Sequence, residues 1–310
     1  MTNLSPQHQP VLIKEVLDAM NLESADLVVD GTLGLGGYSE EALNRSSKVK
    51  VIAFELDSEN LAFAKNRLSK FADRISFIND NFGNLENALA EIGVKEIDGL
   101  MLDLGLSSPQ IDVAERGFSF MREGALDMRF GKMQELTAAD VVNTYDLEEL
   151  SRIFREYGEE KSAWRIANAI FEQRKIKKFE TTTELADMIA KLFSGKKQKI
   201  HPATRVFQAL RIEVNKELEM LENVLEQSVK VLRPQGRLAV VAYHSLEDRI
   251  VKNFLREQSR EFVNLPNELT TRMLQPPLKL VFKKPITPSL NEIRENPRSR
   301  SAKLRVAEKI

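Results

Sequence analysis

Cysteine is absent from this 310-residue chain. That excludes disulfides, thiolate metal sites and a cysteine nucleophile, and it fits a reducing cytoplasm. Histidine is scarce. The three residues, His8, His201 and His244, are too scattered to predict a metal centre, so none is expected. No apolar run nears the roughly 20 residues that cross a bilayer. The first residues, Met1-Thr-Asn-Leu-Ser-Pro-Gln-His8, lack the layout of a signal or transit peptide. A cytoplasmic protein with no membrane partner is therefore expected. Excess charge of one sign is missing too, with 45 basic and 46 acidic residues. The basic residues nevertheless cluster at 174–178, at 196–199, and at Arg298, Arg300, Lys303 and Arg305. Such patches bind phosphate on a neutral protein, or simply solvate helix ends.

What is present reads as alternating strands and helices. Val28–Asp30, Val49–Glu55, Ile75–Asn79 and Leu100–Asp103 are short apolar runs. Helical spacing lies between them: Asp57-Ser58 opens a helix with Leu61, Ala64 and Leu68 on one face. This order predicts an α/β fold with a parallel sheet covered on both sides. From about residue 112 the pattern turns helical, over 137–157, 160–174 and 181–193, with Thr137, Asp146 and Thr183 in N-cap regions. A long helix over 203–231 and a Pro234-Gln-Gly236 turn lead to a fifth strand, Arg237–Tyr243, and a helix over Leu246–Gln258. Leu278–Lys283 and Lys303–Ala307 are a closing strand pair. The expected organisation is a discontinuous domain, 1–111 and 205–310, interrupted by a helical insertion at 112–204.

Asp30-Gly-Thr-Leu-Gly-Leu-Gly-Gly37 sits between a strand and a helix, where open sheets bind nucleotide-like ligands. It lacks a clean G-x-G-x-x-G repeat, and Asp30 would repel a pyrophosphate. A carboxylate there suits a ligand that carries an amine and a sulfonium, namely S-adenosylmethionine. Glu55 ends the second strand where ribose hydroxyls lie. Asn79-Asp80-Asn81-Phe82 ends the third, with an acceptor for an adenine amine and a ring to stack on it. The alternative is that Asp80 caps a helix and Phe82 is core. The fourth strand runs into Asp103-Leu-Gly-Leu-Ser-Ser-Pro-Gln110. Ser108-Pro109 partly echoes the Asp/Asn/Ser-Pro-Pro-aromatic turn of enzymes that methylate an exocyclic nucleobase amine, although a plain strand–loop junction has the same form.

Six blocks occur in order: His8-x-Pro10-Val-Leu12, Asp30–Gly37, Asp103–Asp112, Glu115-Arg-Gly-Phe118-Ser-Phe120, His201-Pro-Ala-Thr-Arg205-x-Phe207-Gln208 and His244-Ser-Leu-Glu247-Asp-Arg249. Together, from about residue 8 to 308, they closely resemble the ribosomal RNA small-subunit methyltransferase H family, also called MraW. The resemblance implies a class I, Rossmann-like, S-adenosylmethionine-dependent methyltransferase sheet with an all-helical insertion on the RNA-substrate side. It implies methylation of a cytidine N4 in the decoding region of bacterial 16S rRNA, with that rRNA or the small ribosomal subunit as partner. The family's cofactor contacts fall on Gly36, Gly37, Tyr38, Glu55, Phe82, Asp103 and Gln110. Two depart from the family pattern, which generally has His in place of Tyr38 and Asp in place of Glu55.

The chemistry assigns acceptor or positioning roles to Asp103 and to the Ser107-Ser108-Pro109 turn, whose carbonyls would point at the target base. Phe118, Phe120 and Phe130 would sandwich that base, unless they are core of the insertion. His244 and Glu247 would line the cleft, unless this stretch only caps a helix through Ser245 or Asp248. Arg205, Arg211, Arg249, Arg298 and Arg300 are phosphate contacts on this reading. The rivals are methylation of another nucleic-acid amine, a nicotinamide oxidoreductase, and a non-catalytic assembly factor that binds S-adenosylmethionine. The oligomeric state is left as monomer or homodimer.

Overall fold

The computed structural model describes residues 10–195, 200–264, 271–273 and 275–310. His8 and the basic run at 196–199 lie outside the described residues. The strands are β1 (Leu27–Asp30), β2 (Lys50–Phe54), β3 (Ile75–Ile78), β4 (Ile97–Asp103), β5 (Leu232–Ala242), β6 (Phe262–Asn264), β7 (Thr271–Met273), β8 (Leu278–Leu280) and β9 (Lys303–Lys309). The helices are α1 (Ile13–Ala19), α2 (Gly37–Arg45), α3 (Ser58–Arg67), α4 (Leu85–Glu91), α5 (Ser108–Asp112), α6 (Ala138–Thr144), α7 (Leu147–Glu156), α8 (Ala163–Ile176), α9 (Thr182–Leu192), α10 (Thr204–Asn215), α11 (Glu217–Val231), α12 (Ser245–Gln258) and α13 (Leu290–Glu295). The chain forms two compact units, Met1–Gly105 with Leu218–Ile310, and Leu106–Glu217.

The first unit holds a sheet in the order β3-β2-β1-β4-β5-β9-β8. β1 to β5 pair in parallel, while β9 runs antiparallel to both β5 and β8. This is the mostly parallel, helix-covered α/β sheet expected, and β8–β9 is the expected closing pair. Burial on both faces explains the near-continuous apolar strands. Val28, Val51, Ala53, Met101 and Val241 face one side, with Val16 of α1, Leu43 of α2 and Leu61 of α3. Val29, Ile52, Phe54, Leu102 and Val240 face the other, with Leu89 of α4, Leu225 of α11 and Val251 of α12. Asp57 caps α3 as expected, accepting the Glu59 N–H at 2.9 Å.

The second unit is helical, and three details differ from expectation. The 137–157 segment is two helices: Tyr145 is extended, and Asp146 restarts the chain by accepting the Glu149 N–H at 2.7 Å. Thr181, not Thr183, caps α9. The 203–231 helix is also two, because Lys216 sits in the left-handed region at φ 50°. α10 buries Val206, Ala209 and Leu210 among the helical unit's core residues, with Leu150, Ile166 and Leu185. Packing therefore moves the boundary to 217/218 from the expected 204/205, and α5 moves the other boundary to 105/106 from 111/112. Among the described residues no helix is long and apolar enough to cross a membrane.

In the sheet unit, α12 is tied to β9 by Asp248, which accepts Arg305 Nε and Lys303 Nζ at 2.8 Å each. Burial opposes the charge, but both cations hold the carboxyl below its ordinary range. Removing this partly buried acceptor leaves two cations uncompensated. We expect Asp248→Ala to lower unfolding free energy by about 1–2 kcal/mol at neutral pH in urea titrations, between the values for exposed and buried pairs. A depressed carboxyl stabilises above its unfolded pKa, so the difference should close in acid as Asp248 protonates.

Candidate active site

The strand order reverses between β1 and β4, with β2 and β3 on one side and β5 on the other. Ligands of open α/β sheets bind at such a point, beyond the carboxyl ends of the strands. The loop after β1 is laid there by the backbone. Gly31 N–H donates to Met101 O at 2.9 Å, Leu33 N–H to Phe54 O at 3.0 Å and Gly36 N–H to Leu33 O at 2.8 Å. Gly36 has φ 86°, and a Cβ there would lie 2.9 Å from Leu68 Cδ1. A Cβ on Gly37 would lie 2.3 Å from Pro10 Cγ. Both positions need glycine, by conformation in one case and by close packing in the other.

Asp30 differs from its expected role. It is 1% exposed, and its oxygens accept from Ser39 Oγ at 2.7 Å and the Thr32 N–H at 3.2 Å. It ties the loop to α2 instead of presenting a free charge. Tyr38 is buried, and its hydroxyl donates to the Val11 carbonyl. Its side chain anchors the segment before α1, which leaves its main chain to serve the loop. Glu55 bends back over the loop: Oε2 accepts the Gly34 N–H and Oε1 the Asp57 N–H, both at 2.8 Å. The extra methylene relative to Asp permits this double grip. Phe82 is half-buried in a 3-10 turn after β3, packed against the core. Asp80 is engaged by the Asn84 amide at 3.1 Å, and Asn81 caps the turn.

Asp103 is the exception. Its main-chain N–H donates to Thr32 Oγ1 at 2.6 Å, which fixes the strand end beside the loop. Its carboxylate Oδ1 is buried with no hydrogen-bond partner. Burial pushes its carboxyl up to about 7, helped by the charges of Asp30 and Glu247. Burial likewise raises Asp30 to about 6 and Glu55 to about 8. The leading influences on these three are burial, hydrogen bonds and neighbouring acids, with no lysine or arginine among them. A region this acidic repels pyrophosphate and attracts a cation. The orphaned oxygen and the glycine cradle fit the ammonium and nucleoside parts of S-adenosylmethionine.

Other expected residues are occupied otherwise. Ser107 N-caps α5, and its N–H donates to Gln110 Oε1 at 2.9 Å. Gln110 is 6% exposed, and its side chain serves the cap. The carbonyls of Ser107 and Pro109 accept from Ile111 and Val113. These bonds run along the short helix containing Ser108. Phe118 stacks on Phe130 at 5.5 Å, and Phe120 packs on His201 at 4.6 Å and Phe207 at 4.8 Å. Phe118 and Phe120 pack against the helical unit's core, of which Phe207 is a member. His244 and Glu247 form a reciprocal cap on α12. Glu247 Oε2 accepts the N–H groups of Tyr243 at 2.8 Å and His244 at 3.1 Å, and His244 Nδ1 accepts the Glu247 N–H at 3.4 Å. The cap is His244, not Ser245 or Asp248. Arg211 is paired with Glu217 at 2.8 Å and is only 16% exposed at its side chain, and Arg205 lies 3.8 Å from Glu160. Arg249, Arg298 and Arg300 are exposed.

Sequence reasoning missed Thr32 and Tyr243. Both sit inside recognised blocks or directly beside them, but their partners are far away in the chain.

Folded Asp103 binds its proton near pH 7, against an ordinary value of 3.8. The folded state therefore holds more protons than the unfolded state between these values, and stability falls as pH rises. Ligand-free Asp103→Asn should melt a few degrees above the wild type at pH 8, with the gap narrowing toward pH 5. Calorimetry checks this, and an equal gap at both pH values would refute it.

The MraW methylase family model matches residues 5–310. Ribosomal RNA small subunit methyltransferase H of Carboxydothermus hydrogenoformans is 46% identical over 98% of this chain and 98% of its own length. Proteins of that name from Finegoldia magna and Halothermothrix orenii are 42% and 44% identical, each over 98% of this chain and 99% of their own length. With this match over almost its whole length, the chain belongs to the MraW methylase family.

Proposed function

We propose that this protein methylates the exocyclic N4 amine of a cytidine in the decoding region of bacterial 16S rRNA. Its cofactor is S-adenosylmethionine, which when bound supplies an electrophilic methyl group on a sulfonium. The reading is carried by Asp103, whose buried and unpartnered Oδ1 sits at the switch point of the sheet in a chain of this family. Asp103 would hold the methionine ammonium. Glu55 would take the ribose hydroxyls with lone pairs left over from the Gly34 and Asp57 N–H groups. Phe82 would stack on the adenine, and the main chain of Gly36, Gly37 and Tyr38 would line the loop. The relatives' names and the Asp103–Asp112 block support the rRNA substrate and the amine target.

A cytosine amine is a poor nucleophile because its lone pair is conjugated with the ring. The protein's main task is therefore to hold the base in line, an entropic contribution. No strong general base is needed, since the nitrogen becomes acidic once methylated. The base must leave its stack to be reached. The exposed Arg249, Arg298 and Arg300 would contact phosphates of the small-subunit RNA.

Mass spectrometry of digested 16S rRNA tests the assignment. Cells lacking the gene should lose N4-methylcytidine, wild type should restore it and Asp103→Ala should not. Unchanged nucleoside composition would refute the substrate. Absence of radiolabelled methyl transfer at saturating cofactor would favour the non-catalytic factor. For the cofactor alone, Phe82→Ala should weaken binding roughly tenfold by calorimetry, the scale of one lost ring stack.

A further inference from the structure

Asp103 ends β4, and Tyr243 directly follows β5, its parallel neighbour. The register pairs Asp103 with Val241, and Leu104 N–H donates to Val241 O at 3.0 Å. Two residues on, by the strand period, Gly105 and Tyr243 fall on the same side as that pair. The Tyr243 ring lies against Gly105, where an added Cβ would meet Cε2 at 2.9 Å and Cζ at 3.2 Å. Its main chain is fixed by the 2.8 Å bond to Glu247 Oε2, and Glu247 is itself 2% exposed. That packing and the strand register bring the phenol beside the Asp103 carboxylate, close enough to act on its ionisation.

We propose that Tyr243 is the positioning residue of Asp103: its phenol holds the carboxylate and keeps the unpartnered Oδ1 free for the donor's ammonium. This rests on the cofactor reading above. The side chains that act most strongly on Asp103 are acids and phenols. Asp30 comes from β1, Glu247 from α12, Tyr38 from α2, and Tyr243 from the turn between β5 and α12. The Tyr243 phenol and the Gly105 N–H are the donors that favour the ionised form. Replacing the phenol with an apolar edge removes one of them without changing the ring that packs on Gly105. Asp103 should then hold its proton to higher pH.

Tyr243→Phe, Asp103→Asn and the wild type are compared by calorimetry with S-adenosylmethionine from pH 6 to 8. Carbon-13 NMR follows the Asp103 carboxyl of the ligand-free proteins over the same range. Wild-type Asp103 should titrate near 7, and Tyr243→Phe about one unit higher. Its affinity should be about tenfold weaker at pH 6 and within about twofold of wild type at pH 8. Titration of the ligand's own amine is common to all three proteins, and Asp103→Asn should be weak throughout. The proposal is overturned if Tyr243→Phe matches wild type at every pH. It is equally overturned by a uniform loss with an unmoved NMR midpoint, which would mean packing alone. Failure of the wild type to bind the cofactor would overturn the cofactor reading instead.

Discussion

The pairing of β1 with β4 is the constraint on which the sheet unit depends. Val28 pairs with Gly99 and Asp30 with Met101. A Cβ on Gly99 would lie 2.2 Å from Met20 Cε, so the end of α1 packs closely on the strand there. The Gly31 N–H carries the ladder one step past the strand, into the loop. Two acidic strand ends are thereby held side by side at the place where helices diverge to opposite faces. An acidic, partly dehydrated crevice follows directly from that register.

Such a crevice is unfavourable for the empty protein. Three carboxyls are raised by burial, and the neighbouring charges that act on them are acidic. Two find relief in local donors: Asp30 in Ser39 and Thr32, and Glu55 in two backbone N–H groups. Asp103 keeps an oxygen without a partner. That oxygen is available to a cation, and carboxyls perturbed in this way cluster where proteins bind ligands.

Much of this was legible in the chain itself. Alternation of apolar runs with helical spacing gave the sheet, because buried parallel strands need continuous apolar residues. Asp57 declared its helix because a cap acts over two or three residues. Reading failed where long-range packing decides. Nothing local distinguishes a 29-residue helix from two helices broken at Lys216, nor tells which core claims α10. The site behaved likewise. Asp103 and the glycine loop were visible as a motif, whereas the internal hydrogen bonds of Asp30, Tyr38, Gln110, His244 and Glu247 were not. Each makes at least one hydrogen bond to a neighbour's backbone or hydroxyl, although His244 Nε2 stays buried without one, and a polar residue in a block looks the same whether it serves a ligand or a turn.

The position of β9 also bears on biosynthesis. This strand lies between β5 and β8, yet it is made after both. Until Lys303–Lys309 leaves the ribosome, β5 has an open flank of unpaired N–H and C=O groups, the kind of edge that recruits stray strands. The nascent protein should therefore stay chaperone-dependent until its last strand is threaded in, and shortening the chain by even that one strand should yield aggregates rather than a smaller enzyme.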